Sequence, residues 1–174
     1  MNKLNNKSIN FFSYVKGDDE EMMVAIFGRP KIRHENATLQ GYELCIQTAK
    51  DITDEILSTC TFTQSPRQIL TEKRGPNFEL FTIRPNLEKK LRGVIWYVSA
   101  QEYEHLREYE LIDCGMSEDI VAKAITDKGE IITVSTYGLD KNINNITKVV
   151  DEDYKRPEIP KKEKIQTASQ LRNS

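Results

Sequence analysis

The sequence predicts an α+β domain: a curved or closed sheet of about five to seven strands with one or two packed helices. Three observations carry this expectation. Segments rich in apolar, β-branched and aromatic residues recur at strand length along much of the chain. A single well-marked helix is set late among them. With 174 residues, 38% of them hydrophobic and 30% charged, the chain fits one ordinary domain with polar segments left over.

Residues 1–20 read as a polar N-terminal extension holding one aromatic cluster, Phe11, Phe12 and Tyr14. Asp18, Asp19, Glu20 and Glu21 then read as a solvated turn, because the alternating ligands and central glycine of a calcium loop are missing. The apolar run MMVAIF (22–27) has the length of a buried strand, and Gly28-Arg29-Pro30 marks its end. ATLQGYELCIQ (37–47) is the next strand, with Gly41 predicting a bend or bulge. Between 48 and 77 the pattern is weak: a short helix at 51–57, a strand at 59–63 and a turn at Gly75-Pro76-Asn77. FELFTIR (78–84) and LRGVIWYVS (91–99) read as two strands with a loop beginning at Pro85-Asn86.

The period then changes. Ser99 followed three residues later by Glu102 is a capping box, and AQEYEHLREYE continues it as a helix. DIVAKAI (119–125) and EIITVSTYG (130–138) form a hairpin across Asp127-Lys128-Gly129. Residues 151–174 carry Pro157, Pro160, several lysines and few apolar side chains. They read as a tail, or as a strap that orders on a protein partner.

A net charge of -2 and a pI near 5.8 provide no dominant basic field for nucleic acid or an anionic membrane. No apolar stretch approaches the roughly 20 residues that cross a bilayer, and the N-terminal residues have no secretory pattern. The expectation is a soluble, cytoplasmic protein. Three separated cysteines, Cys45, Cys60 and Cys114, and two histidines make neither a zinc site nor a disulfide framework, so no metal or cofactor is expected. Each cysteine reads as a small buried hydrophobe.

Helical spacing singles out one carboxylate. Tyr103, Leu106 and Glu110 stand at i, i+3 and i+7, so a helix that turns Tyr and Leu to the sheet turns Glu110 inward as well. An inward carboxyl at a helix C-terminus is suited to general acid/base work. Equally, it is suited to an ion pair with Arg107 or another cation, or it frays outward past the last turn.

These residues resemble a known family. Leu106-Arg107-Glu108-Tyr109-Glu110, after Gly93-Val94-Ile95-Trp96-Tyr97 and before Cys114-Gly115-Met116, is similar to the γ-glutamylcyclotransferase superfamily. There a strand leads into a helix ending in glutamate, then a short loop and paired strands. Ile26-Phe27-Gly28-Arg29 resembles the turn after the family's first strand, ATLQGYEL one of its early strands, and EIITVSTYGL its late one. The resemblance covers residues 22–47 and 91–140. It implies a small mixed or antiparallel β-barrel over 21–140 with an insertion at about 48–90, followed by an extension over 141–174.

The chemistry implied is metal-independent release of 5-oxoproline from a γ-glutamyl amine or peptide, a lyase or acyltransferase type of reaction. The resemblance makes Glu110 the catalytic acid/base, and Phe27, Gly28, Arg29, Pro30 and Tyr137 the substrate-binding residues. Several positions depart from the family pattern: Phe27 lacks a hydroxyl, Arg29 replaces a small residue, Pro30 has no N–H to donate, Arg107 follows the helix leucine and Ser117 follows Met116. These departures leave open a catalytically degenerate member acting as a binding or assembly module.

Overall fold

The structure is a computed structural model that describes residues 7–14, 19–52, 66–114, 116–141, 145–157 and 159–174. Among these residues there are six strands: β1 (Ser8–Tyr14), β2 (His34–Gln47), β3 (Leu80–Ser99), β4 (Ser117–Thr126), β5 (Ile131–Leu139) and β6 (Lys148–Val150). Four α-helices accompany them: α1 (Glu20–Phe27), α2 (Pro66–Arg74), α3 (Ala100–Tyr109) and α4 (Lys161–Asn173). The strand order is β3-β1-β5-β4-β2-β6, and a further β3–β2 pairing closes the first five strands into a barrel. All pairings are antiparallel except β1–β5, so the barrel is mixed. The expected α+β barrel is therefore present, with more helices than the one or two expected.

Period-2 alternation divides its side chains between two cores. Phe12, Leu39, Leu44, Ile83, Ile95, Ala124 and Val134 fill the barrel. Their neighbours Phe11, Val94, Trp96 and Val98 point outward and meet Met23, Ile26 and Phe27 of α1, Tyr103 and Leu106 of α3, and Ala168 of α4. A smaller third core, Ile52, Leu70, Phe78, Leu111 and Met116, lies beneath α2.

Several expectations need correction. MMVAIF is part of helix α1, not a strand. Asp19 Oδ1 accepts from the Met22 N–H at 3.2 Å to start it. Gly28 ends it in the left-handed region at φ 86, its N–H donating to the Val24 carbonyl at 2.8 Å. The supposed N-terminal extension contains β1, which sits in mid-sheet between β3 and β5. The two strands expected at 78–84 and 91–99 are halves of β3. Pro85 pairs with Tyr42 inside it, beside the register shift that Gly41 (φ 88) allows between Gln40 and Tyr42. The last part of the supposed insertion, residues 80–90, is thus barrel wall. The strand expected at 59–63 lies outside the described residues, and of the helix expected at 51–57 only Asp51, in a 3-10 turn at Ala49–Asp51, and Ile52 are described.

The C-terminal region is no free tail. β6 pairs with β2, and α4 packs on α1 and α3 through buried Ala168 and half-buried Ile165. Lys161 Nζ ties its start to Asp19 at 3.0 Å and Glu21 at 2.9 Å. No helix among the described residues is long and apolar enough to cross a membrane.

Candidate active site

Helix α3 positions the candidate carboxylate. Its start is the expected capping box: Ser99 Oγ accepts from the Glu102 N–H at 3.1 Å, and Glu102 Oε1 accepts from the Ser99 N–H at 2.8 Å. Tyr103 and Leu106 are buried on the face toward the barrel. The helix closes at Glu110, whose N–H donates to the Leu106 carbonyl at 2.9 Å. The next residue, Leu111, adopts φ 54. A branched side chain in the left-handed region costs on the order of 1 kcal/mol, and burying Leu111 in the third core offsets it. Arg107 anchors the same end, reaching Asp113 and Asp119 at 2.5 Å each. Hydrogen bonding to Asp113 and then Asp119 outweighs its burial and holds the guanidinium firmly charged.

Glu110 is thereby delivered to a cleft between α2, the C-terminal end of α3 and the chain leading into α4. Its carboxylate keeps 27% of its exposure, and Oε2 stands 3.7 Å from the Arg74 guanidinium, whose side chain is 17% exposed. The cation that meets it is Arg74 of α2, not Arg107. Leu70, Leu80, Tyr109 and Leu111 make the floor apolar, while Pro157, Ile159 and Thr167 form the C-terminal wall. Lys73 and Lys164 add two more cations from opposite sides. The walls enclose about 530 Å³ including space open to solvent, of which only about 30 Å³ admits the centre of a water molecule.

Two phenols lie within electrostatic reach of Glu110. Burial first, and the Glu110 charge second, push the hydroxyls of Tyr14 and Tyr137 well above the ordinary phenol range. The Tyr14 O–H donates to the Tyr137 carbonyl at 3.0 Å, and their rings are tilted with centroids 5.6 Å apart. Arg156 also acts on both phenols, and Arg74 on Tyr137. Of Glu110 and Tyr137, both expected at the site, Glu110 lines the cleft and Tyr137 does not, though it lies within electrostatic reach of Glu110.

The other expected substrate-binding residues are elsewhere. Phe27 is buried against Trp96 with ring centroids 6.4 Å apart. Gly28 is a helix cap pressed by the Arg172 side chain, so close that a Cβ there would lie 2.6 Å from Arg172 Cδ. Arg29 forks onto Glu102, Nε to Oε2 at 2.5 Å and Nη2 to Oε1 at 3.3 Å, and Pro30 is exposed. This turn sits at the N-terminal end of α3, eight residues and about 12 Å along the helix from Glu110. It follows a helix rather than the first strand, which removes the basis for matching it to the family's turn.

Tyr14, Lys73, Arg74 and Lys164 are neighbours that sequence reasoning missed. Tyr14 belonged to a visible aromatic cluster at strand spacing, but the three cations come from elements whose sequence gives no sign of where they dock. Cys45 is a buried hydrophobe as expected, its thiol pushed up to about 11 by burial. Cys60 lies outside the described residues, and the side chain of Cys114 is not described. No group of three or more His, Cys, Asp or Glu side chains among the described residues could hold a metal ion.

No protein-family model matches the sequence, and no curated protein matches it. Solved structures do. The chain is similar to the crystal structure of an uncharacterized protein from Homo sapiens, with TM-score 0.59, 19% identity, and coverage of 95% of this chain and 80% of that one. It is similar to a gamma-glutamyl cyclotransferase with TM-score 0.58, 18% identity, and coverage of 96% and 81%. A protein from Arabidopsis thaliana solved in solution follows, with TM-score 0.51, 16% identity, and coverage of 83% and 69%. At these identities the likeness is one of fold: the chain has the γ-glutamylcyclotransferase-like barrel.

Proposed function

We propose that this protein is a γ-glutamylcyclotransferase-like enzyme that releases 5-oxoproline from a γ-glutamyl amine or peptide. The observation that carries the reading is Glu110: a positioned, partly exposed carboxylate in an apolar-floored cleft, on a barrel of the matching fold. The substrate's α-ammonium lies against Glu110, which takes its proton. The freed amine attacks the γ-carbonyl carbon and closes a five-membered ring. The tetrahedral intermediate collapses by breaking the bond to the leaving nitrogen, to which Glu110 returns the first proton; the second proton, left on the ring nitrogen, passes through the same carboxylate to the departing amine, giving a lactam N–H and a protonated amine. One carboxylate serves as base and then acid, no water is consumed, and no metal or cofactor is required. Arg74 pairs with the substrate's α-carboxylate, for which a guanidinium is well shaped.

The test is an assay of 5-oxoproline over a panel of γ-glutamyl dipeptides and γ-glutamyl amines. Wild type is expected to release it, and Glu110→Gln to lose that release. Silence of both across the whole panel would sink the enzymatic reading. A second reading, a catalytically degenerate module that binds without turnover, is favoured by the narrowness of the cleft and by Arg74 beside the carboxylate. Binding of γ-glutamyl compounds with no release by wild type is its expected signature.

A further inference from the structure

The cleft in front of Glu110 is too small for the substrate proposed for it. About 30 Å³ admits the centre of a water molecule, room for roughly two waters and not for a γ-glutamyl group. One of its walls must therefore move, and the walls are rooted very differently. α2 is anchored by Leu70, buried in the third core with Ile52, Phe78, Leu111 and Met116. α3 is anchored by Tyr103 and Leu106. α4, which brings Lys164 and Thr167 to the cleft, has one buried residue, Ala168, with Ile165 partly covered beside it.

The two ends of α4 are held by polar contacts. Lys161 Nζ meets Asp19 and Glu21 at its start, and Arg172 Nε donates to the Ala25 carbonyl at 3.1 Å at its end. Lys161 is 47% exposed and Glu21 67%, and ion pairs so open to water hold weakly. A helix docked by one methyl group and exposed ion pairs stands at the low-stability end of the molecule, from which lids are drawn. The chain ahead of it is fixed as far as Arg156. The Tyr154 O–H donates to the Glu79 carboxylate at 2.7 Å, and the Arg156 guanidinium lies 4.6 Å from the centre of the Phe81 ring. Undocking α4 thus leaves β6 and the barrel paired.

Resting on the cyclotransferase reading, we infer that α4 is a lid over the Glu110 cleft, latched shut by Lys161 on Asp19 and Glu21. The arrangement described is the closed, inhibited state. Substrate enters when the latch releases, so kcat/KM is the open-state value multiplied by the open fraction.

The test reads the cleft with and without turnover. In the full chain, Lys161→Ala removes the latch without touching a cleft residue. With γ-glutamyl-alanine it should raise kcat/KM by roughly two- to tenfold, the span expected for losing exposed ion pairs. Glu21→Gln, which removes half of the latch, should give a smaller rise. Access is measured separately by iodoacetamide labelling of the cysteine introduced by Glu110→Cys, mapped by peptide mass spectrometry. Adding Lys161→Ala should speed that labelling several-fold. Molar salt should speed it in the latched chain and not in the unlatched one. Hydrogen exchange should quicken in α4 and not in the barrel strands.

Unchanged labelling on loss of Lys161 overturns the lid, whatever the turnover does. Exchange that quickens equally in the barrel means general loosening and overturns it too. Faster labelling with unchanged kcat/KM overturns the gate and leaves the cyclotransferase reading standing. If no variant yields 5-oxoproline, that reading has failed, and labelling with exchange alone decides the lid.

Discussion

Helix α3 presents a glutamate at each end, and the two are held very differently. Glu102 accepts from the Ser99 N–H at 2.8 Å and takes the Arg29 fork at 2.5 and 3.3 Å, with 12% of its side chain exposed. Burial alone would raise its pKa, but hydrogen bonds from Arg29 and Ser99 outweigh that and hold the carboxyl below its ordinary value. Glu110 has one cation at 3.7 Å, more than twice the exposure, and a cleft in front of it. A saturated carboxylate is structural because any reaction would have to break the bonds that define it. A loosely paired one can take and return a proton without dismantling its surroundings.

The contrast can be broken in four places. The largest effect is expected on activity. Glu110→Gln should lower kcat for 5-oxoproline release by about 10²–10⁴-fold, the span typical of a lost general acid/base, while Glu102→Ala leaves kcat within a few-fold. Steady-state kinetics on the two variants reads this directly. Next, Arg74→Met should raise KM by roughly tenfold through loss of the charge-assisted contact to the substrate carboxylate, with kcat less affected.

Third, Glu102→Ala should cost about 1–2 kcal/mol of stability through the lost capping box and Arg29 fork, measured by denaturant unfolding. The sign of its pH dependence follows from the lowered pKa. The folded state releases this proton more readily than the unfolded chain, whose value is about 4.3. The contribution is therefore complete above that value and fades as pH falls through the folded one. The gap between wild type and Glu102→Ala should close in acid. The smallest effect is at Gly28. Alanine there must adopt φ 86 and displace Arg172, costing about 1 kcal/mol or somewhat more, with kcat/KM unchanged. A large loss of activity in Gly28→Ala without a matching loss of stability would return the Phe27–Pro30 turn to the active site.

What the sequence disclosed was local. Ser99 and Glu102 are three residues apart, so the cap, the helix and the direction of Glu110 were legible from spacing, as was the β4–β5 hairpin. MMVAIF misled because six apolar residues in a row satisfy a strand and a buried helix equally. The deciding signals were Asp19 before the run and Gly28 after it, both of which cap a helix. β1 hid in a polar stretch, although Phe11 and Phe12 face different cores as strand neighbours must. α4 has only Ile165, Ala168 and Leu171 at helical spacing, too thin a face to read without the α1 and α3 surface it covers. The partners of Glu110 were illegible because Arg74 and Lys164 lie 36 and 54 residues away in sequence, and only barrel closure brings their elements to one cleft.

The measurement that tests the central claim most directly is 5-oxoproline release from γ-glutamyl-alanine, followed side by side for wild type, Glu110→Gln and Glu102→Ala. The account predicts release by wild type and by Glu102→Ala, and its loss in Glu110→Gln at unchanged thermal stability. Release that persists in Glu110→Gln, or that disappears equally in both variants, would contradict it.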